Sequence, residues 1–272
     1  MGVKMKIGNK ILDFNKRTYI MGILNVTPDS FSDGGMYNNI EAALKRAKEM
    51  VEEGADIIDV GGESTRPGAS YVEAEEEIKR VVPIIKAIKR ELDVLISIDT
   101  YKSQVAEEAI KAGADIVNDV WGLKKDKNMA SIIVKYDVPC ILMHNRDERP
   151  YNDLMRDLLD DLYESISLAK NAGIKADKII LDPGIGFAKT YEENLEVMNN
   201  LEKIVSLGYP VLLAASRKRM IGYALDLPVE ERLEGTLATT VIGIMKGCHM
   251  VRVHDVLENK RVALMTDKII KR

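Results

Sequence analysis

Cysteine is scarce in this chain of 272 residues, with only Cys140 and Cys248. Both sit in apolar stretches, so the sequence predicts buried thiols and offers no disulfide framework. A surplus of positive charge is missing too. The chain has 39 Lys and Arg against 43 Asp and Glu, for a net charge of −4. That leaves no basic footprint for nucleic acid or an anionic membrane. Any anion site must be a local cluster of Arg, Lys or backbone N–H groups. No apolar run approaches the ~20 residues of a membrane span. The opening Met1-Gly2-Val3-Lys4-Met5-Lys6 lacks the apolar stretch of a signal peptide and the Ser or Thr that myristoylation needs. A cytoplasmic protein with no membrane or nucleic-acid partner is expected. There is no G-x-G-x-x-G after the first strand-like run, and Gly184-Ile185-Gly186 comes late and lacks a third glycine. No Cys/His cluster suits zinc.

What the chain does have is a polar side chain at the end of one apolar run after another. The runs cover residues 20–25, 57–63, 94–100, 115–120, 139–145, 178–184, 210–218 and 250–255, ending in Asn25, Glu63, Asp99, Asn118, His144, Asp182, Lys218 and His254. A strand buried on both faces should be almost entirely apolar. A charge at its end is unfavourable unless it is paired or binds something. Such ends, repeated along the chain, predict a ring of groups around one pocket.

Helical patterns alternate with these runs at 40–53, 72–92, 103–112, 128–136, 152–172, 191–207, 233–246 and 257–270. Within the second, Ile78, Val81, Val82, Ile85, Ile88 and Leu92 keep the spacing of one buried face. Pro83 predicts a kink there. Thr190 with Glu193 predicts a capping box. A Gly8-Asn9 turn within residues 3–16 reads as a β-hairpin. The alternation makes an α/β fold with a parallel sheet, and the even spacing favours a closed eight-stranded (β/α)8 TIM barrel of about 250 residues. It is expected as a single domain, residues 1–272, with an N-terminal β-hairpin extension over 1–17.

Period-2 alternation refines the mouth of that barrel. It places Asp59, Gly61 and Glu63 on one face, with Ser97 and Asp99, Asn118, Asp182, Ala214, Ser216 and Lys218, and Arg252 and His254 on the matching faces of other strands. Three long connections follow strands: residues 25–35, 61–68 and 216–222. Loops rich in Gly, Ser and Asp with an embedded Arg suit ligand binding.

Asn25-Val26-Thr27-Pro28-Asp29-Ser30-Phe31-Ser32-Asp33-Gly34-Gly35, Gly61-Gly62-Glu63-Ser64-Thr65-Arg66-Pro67-Gly68, Asp182-Pro183-Gly184-Ile185-Gly186-Phe187, Ser216-Arg217-Lys218 and Arg252-Val253-His254-Asp255 together resemble the dihydropteroate synthase family, in the same order and across essentially the whole chain. The resemblance implies condensation of 6-hydroxymethyl-7,8-dihydropterin diphosphate with p-aminobenzoate, giving 7,8-dihydropteroate and pyrophosphate. It also implies Mg2+ and a homodimer.

A carboxylate matches the adjacent N–H donors of a pterin edge with paired, charge-assisted hydrogen bonds. Asp182 takes that role, with Asp99 and Asn118 reading the rest of the edge and Lys218 donating to the ring. Met143, Gly186 and Phe187 lie beside the ring, and Arg252 stacks on it. The resemblance places the diphosphate on Asn25, Arg66, Arg252 and His254, with Asn25 supplying an oxygen to Mg2+. It places p-aminobenzoate among Phe31, Thr65, Arg66, Pro67, Phe187, Ser216, Arg217 and Lys218. Asp99, Asp182, Lys218, Arg252 and His254 are the implied catalytic set. The implied mechanism is dissociative: pyrophosphate leaves first and the aniline nitrogen then attacks a pterin-methyl cation, so no protein nucleophile is needed. His144 has no assigned role and His249 reads as structural.

Two departures from the family pattern bear on the pocket. Ala188 stands where glycine is commoner, and Asn145-Arg146 stands where a second Met and a Lys are usual. A pterin-dependent corrinoid methyltransferase and a non-catalytic pterin-binding paralogue are the alternative readings. The first has no need of the Ser216-Arg217-Lys218 motif, and the second should have lost Phe31, Asp33, Thr65 or Arg66.

Overall fold

A computed structural model describes residues 4–27, 35–64, 70–147 and 150–270. Two short strands, β1 (Lys4–Ile7) and β2 (Lys10–Asp13), pair antiparallel around the predicted Gly8-Asn9 turn. The parallel strands follow: β3 (Tyr19–Asn25), β4 (Ile57–Gly61), β5 (Leu95–Asp99), β6 (Ile116–Asp119), β7 (Cys140–Met143), β8 (Ile179–Asp182), β9 (Leu212–Leu213) and β10 (Met250–Val253). They pair in the order β8-β7-β6-β5-β4-β3-β10-β9. A bridge between Leu181 and Val211 joins the two ends, so the eight-stranded barrel closes as predicted.

Alternation along each strand divides the core in two. Outward side chains such as Ile58, Ile96, Val117, Leu142, Leu181 and Val251 pack under the helices. Inward ones form a separate apolar layer: Met21, Ile57, Leu95, Ile116, Ile141, Ile180, Leu212 and Met250. The hairpin closes that layer from below. Met5, Ile7, Leu12 and Phe14 are buried in the same cluster, and Phe14 meets Tyr19 and His249 edge to face at 5.4 and 5.6 Å. His249 Nδ1 also accepts from the Val211 N–H at 3.1 Å, in line with the structural role expected of it. The apolar floor leaves the carboxyl ends of the strands as the open, polar end.

The helices lie where their apolar spacing requires. They are α1 (Gly35–Glu52), α2 (Ala74–Glu91), α3 (Ser103–Ala112), α4 (Met129–Tyr136), α5 (Leu154–Ala172), α6 (Tyr191–Asn199), α7 (Leu201–Val205), α8 (Arg219–Leu225), α9 (Leu233–Met245) and α10 (Val256–Ile270). α2 continues through Pro83 as one helix, with Glu75, Glu76 and Glu77 in its first turn and Lys89 and Arg90 in its last, both favourable to its dipole. The capping box at Thr190 and Glu193 is present in full.

Four sequence expectations are corrected. The helix expected over 191–207 is two helices, because Asn200 leaves helical geometry and its side chain donates to the Glu196 carbonyl at 2.8 Å. The strand expected over 210–218 is only Leu212–Leu213, because the chain turns at Arg217, whose φ is +55°, and enters α8. α8 itself begins inside what the sequence presents as a loop. The runs ending in Glu63 and His144 also stop short, at Gly61 and Met143, so both side chains start loops. Cys140 and Cys248 are free and buried, as expected, and burial raises both thiols, Cys248 to about 12.

Candidate active site

The layer above the apolar floor is ionic. Arg252, inward on β10, donates from Nε to Asp59 Oδ2 at 2.5 Å and from Nη2 to Asp99 Oδ2 at 2.6 Å. Asn118 on β6 donates to the same Asp59 oxygen at 3.3 Å. Strand pairing accounts for this. Asp59 is level with Ser97, and Asp99 with Asn118. Asp182 lies on β8 level with Met143, and both are buried. Asp59 Oδ1, Asp99 Oδ1 and Ser97 Oγ are buried without a hydrogen-bond partner, an uncommon and unfavourable state for native polar atoms.

These charges are tuned by burial. It pushes Asp99 up to about 7, with Arg252 opposing and Asp59 reinforcing the shift. It raises Asp182 as well, against the pull of Lys218 and the Gly184 N–H. Burial lowers Lys218 to about 8, with Asp182 opposing and Arg252 adding to the shift. Burial also works against the Arg252 charge, yet Asp59 and Asp99 hold its pKa above the ordinary value.

The turn after β8 forms one wall. Gly184 and Gly186 have φ of +67° and +84°. A Cβ on Gly184 would run into the His144 carbonyl, so this position needs glycine. The Gly184 N–H donates to Asp182 Oδ1 at 2.7 Å. Lys218 donates to the Ile185 carbonyl, and its ammonium stands 4.7 Å from the Phe187 ring centre. Ala188 adopts φ +47°, which explains why a glycine suits that position.

On another wall, Ser216 Oγ lies 3.0 Å from His254 Nδ1 and accepts from the His254 N–H at 3.2 Å. That fixes the imidazole at the end of β10. Asn25, exposed at the tip of β3, is level with Gly61, and a Cβ on Gly61 would lie 3.8 Å from Asn25 Oδ1 and 3.6 Å from Asp99 Cβ. Among the described residues no group of three or more His, Cys, Asp or Glu could hold a metal ion. The Asn25 amide oxygen is a hard donor at the rim, and one protein oxygen suits Mg2+, which keeps waters and takes phosphate oxygens from its substrate.

Of the residues singled out from sequence, Arg252 bonds Asp99 and, through Asp59, meets Asn118, while Lys218 interacts with Asp182 and stands beside Gly186 and the Phe187 ring; Met143 is level with Asp182, and Ser216 pairs with His254. Arg217 points elsewhere in this structure, pairing with Asp255 at 2.9 and 2.5 Å. Phe31, Thr65, Arg66 and Pro67 lie outside the described residues. Sequence reasoning assigned no role to Asp59, although its period-2 partnership with Gly61 marked it. It also passed over Glu77 and Lys102, which meet at 2.6 Å beneath Glu63, itself bonded to Lys102. The signal for Glu77 was its place on the buried stripe with Val81, Ile84 and Ile88.

A set of carboxylates and an amide beside two cations can read the donor and acceptor edge of a flat, nitrogen-rich ring and hold an anion. The family model for "Pterin binding enzyme" matches residues 21–254. The chain is 67% identical over 269 residues to a dihydropteroate synthase of Clostridium beijerinckii, covering 98% of this chain and 100% of that one. It is 60% identical to that of Bacillus subtilis, covering 96% and 92%. A dihydropteroate synthase from Clostridium difficile, solved in the presence of pteroic acid, superposes with TM-score 0.94 at 58% identity over 96% of this chain and 99% of that one. One from Xanthomonas albilineans, solved with 4-aminobenzoic acid, does so with TM-score 0.94 at 37% identity over 99% and 98%.

Proposed function

This chain belongs to the pterin binding enzymes and, within them, to the dihydropteroate synthase family, and from that premise we propose how its residues carry the reaction. It is a transferase that joins 6-hydroxymethyl-7,8-dihydropterin diphosphate to p-aminobenzoate, giving 7,8-dihydropteroate and pyrophosphate. The observation that carries the site reading is the buried Asp59–Arg252–Asp99 bridge, with Asp99 level with Asn118 and the Asp182 charge acting on Arg252.

Asp182 accepts paired N–H bonds from the pterin edge, and Asn118 and Asp99 read its remainder. Asp99 Oδ1 and Asp59 Oδ1, buried without partners, gain donors when a ring with N–H groups enters. Lys218 donates to the ring, while Met143 and Phe187 pack beside it. Arg252, His254 and Asn25, with Arg66, take the diphosphate. Asn25 Oδ1 is the protein oxygen that would hold Mg2+, which when bound neutralises diphosphate charge. The bond from the pterin methylene to the diphosphate oxygen breaks, and its electron pair leaves with pyrophosphate. The carboxylates of Asp99 and Asp182 stabilise the cation left on the pterin. The aniline nitrogen then adds to the methylene and loses a proton. Ser216, Phe187 and Lys218, with Phe31, Thr65, Arg66, Pro67 and Arg217, form the p-aminobenzoate side.

Homodimerisation is part of the proposal, supported by the apolar face that α9 and α10 expose through Ile242, Met245, Leu264, Met265 and Ile269. So is a cytoplasmic location; among the described residues no helix is long and apolar enough to cross a membrane.

Asp182→Asn turns one acceptor into a donor facing an N–H. Its affinity for the pterin diphosphate, measured by isothermal titration, should fall about tenfold or more. Unchanged affinity would remove Asp182 from the pterin edge.

A further inference from the structure

The turn that follows Asp182 has one backbone bond, from the Phe187 N–H to the Gly184 carbonyl at 3.0 Å, and is otherwise held by side chains. Its Gly184 and Phe187 carbonyls accept from one ammonium, Lys189 Nζ, at 3.0 and 3.1 Å. The Ala188 carbonyl accepts from the Tyr151 hydroxyl at 2.9 Å, and the Gly186 N–H donates to Asn194 Oδ1 at 2.6 Å. Lys189 is only 6% exposed. A buried ammonium is unfavourable unless each of its donors is used. Its third partner is His144 Nδ1 at 2.8 Å.

The protonation of that contact follows from the geometry. His144 is fully buried, and its Nε2 lies 2.9 Å from Asp161 Oδ2. Burial lowers Lys189 to about 7; while it carries its proton the ammonium has no lone pair, so His144 Nδ1 accepts and the ring hydrogen sits on Nε2, donated to Asp161. Burial, with the Lys189 charge adding to it, lowers His144 to about 4, which keeps the ring neutral and able to accept. Asp161 is held from the far side by Arg146 Nε at 3.2 Å. A continuous path thus runs from Asp161 through His144 and Lys189 to the Gly184 carbonyl. Gly184 in turn donates its N–H to Asp182 Oδ1. The carbonyl that Lys189 holds and the N–H that Asp182 accepts belong to successive peptide planes joined at the Gly184 Cα, so a shift of one plane passes to the other through the Gly184 backbone angles, φ being +67°.

We propose that Lys189, oriented by His144 and Asp161, is a positioning residue that aims Asp182 at the pterin by fixing the carbonyls of Gly184 and Phe187. The inference rests on the assignment of Asp182 to the pterin edge. Lys189 does not touch the substrate. Its loss acts first on pterin recognition and less on p-aminobenzoate, whose side shares Phe187 with this turn but takes Ser216 from a different strand connection.

The test measures the KM for the pterin diphosphate and for p-aminobenzoate, together with kcat and thermal midpoint, in Lys189→Met, His144→Leu and Asp182→Asn. Lys189→Met should raise the pterin KM about tenfold, the effect expected on losing charge-assisted bonds, with a smaller rise in the p-aminobenzoate KM. His144→Leu should shift the pterin KM the same way by a smaller factor. A merely structural Lys189 would lower the midpoint and the active fraction while leaving both KM values alone, and that result overturns the inference. If Lys189→Met does not fold, an unchanged pterin KM in His144→Leu overturns it equally. If Asp182→Asn also leaves the pterin KM unchanged, it is the pterin-edge assignment that fails.

Discussion

Lys218 shows how a residue can serve the site at the expense of the fold. In the folded protein it releases its proton near pH 8, against an ordinary 10.5, chiefly through burial. Between those values the unfolded chain binds more protons than the folded one, so this group makes stability rise with pH across that window. Below pH 8 both states carry the charge, and the burial penalty is fully felt. Urea unfolding of the wild type and Lys218→Met over a pH series should show it. The stability difference, wild type minus variant, should climb from pH 8 to 10.5 by on the order of 2 kcal/mol and stay flat below pH 8. A flat difference throughout would mean the Lys218 proton is not displaced by folding. The residues that sequence revealed best are of this kind. Asn118, Asp182 and Arg252 interrupt apolar runs, and a polar group within a buried strand announces itself. Lys189 does not. It is an ordinary charged residue by local pattern, and only its contact with His144 across the fold shows that it is buried.

Among the elements, the β1–β2 hairpin does more than precede the barrel. It supplies Met5, Ile7, Leu12 and Phe14 to the layer that seals the end opposite the site. Phe14→Ala should therefore destabilise the protein by about 3–5 kcal/mol, seen as a lower thermal midpoint, because a large ring is lost from a packed layer. KM for both substrates should not change, since the floor lies beneath the ionic layer; a shifted KM would mean that the floor and the mouth are coupled. Most elements could be placed from periodicity, which depends on burial of one face or two. The errors fall where local chemistry overrides that period. Asn200 ends a helix through its own side chain, and the Arg217 turn converts an apolar run into the cap of α8. Neither residue breaks the hydrophobic pattern, so neither could be seen in it.

At the scale of the molecule, a closed barrel gives every strand two neighbours, and one inward step along β4, β8 and β10 changes the interior from Ile57, Ile180 and Met250 to Asp59, Asp182 and Arg252. The pairing of Leu181 with Val211 completes that ring although β9 is only two residues long. The outer face is not uniform. Met245 and Met265 are 65% and 64% exposed on neighbouring helices, an apolar patch that fits a second copy of the chain. Sedimentation should find twice the chain mass at micromolar concentration, and Met245→Glu with Met265→Glu should yield a monomer. A wild-type monomer would contradict the dimer. The barrel and the polar ring at its mouth could be read from sequence because both follow from alternation. Which exposed apolar residues share a face of α9 and α10 could not, since an exposed Met on a helix is unremarkable until its neighbours in space are known.

The central claim concerns the reaction, and pyrophosphate release tests it most directly. Purified protein is mixed with the pterin diphosphate and Mg2+, with and without p-aminobenzoate, and pyrophosphate and dihydropteroate are both quantified. The account predicts dihydropteroate formed in equal amount to pyrophosphate whenever p-aminobenzoate is present. Binding of the pterin diphosphate with neither release nor product would contradict it.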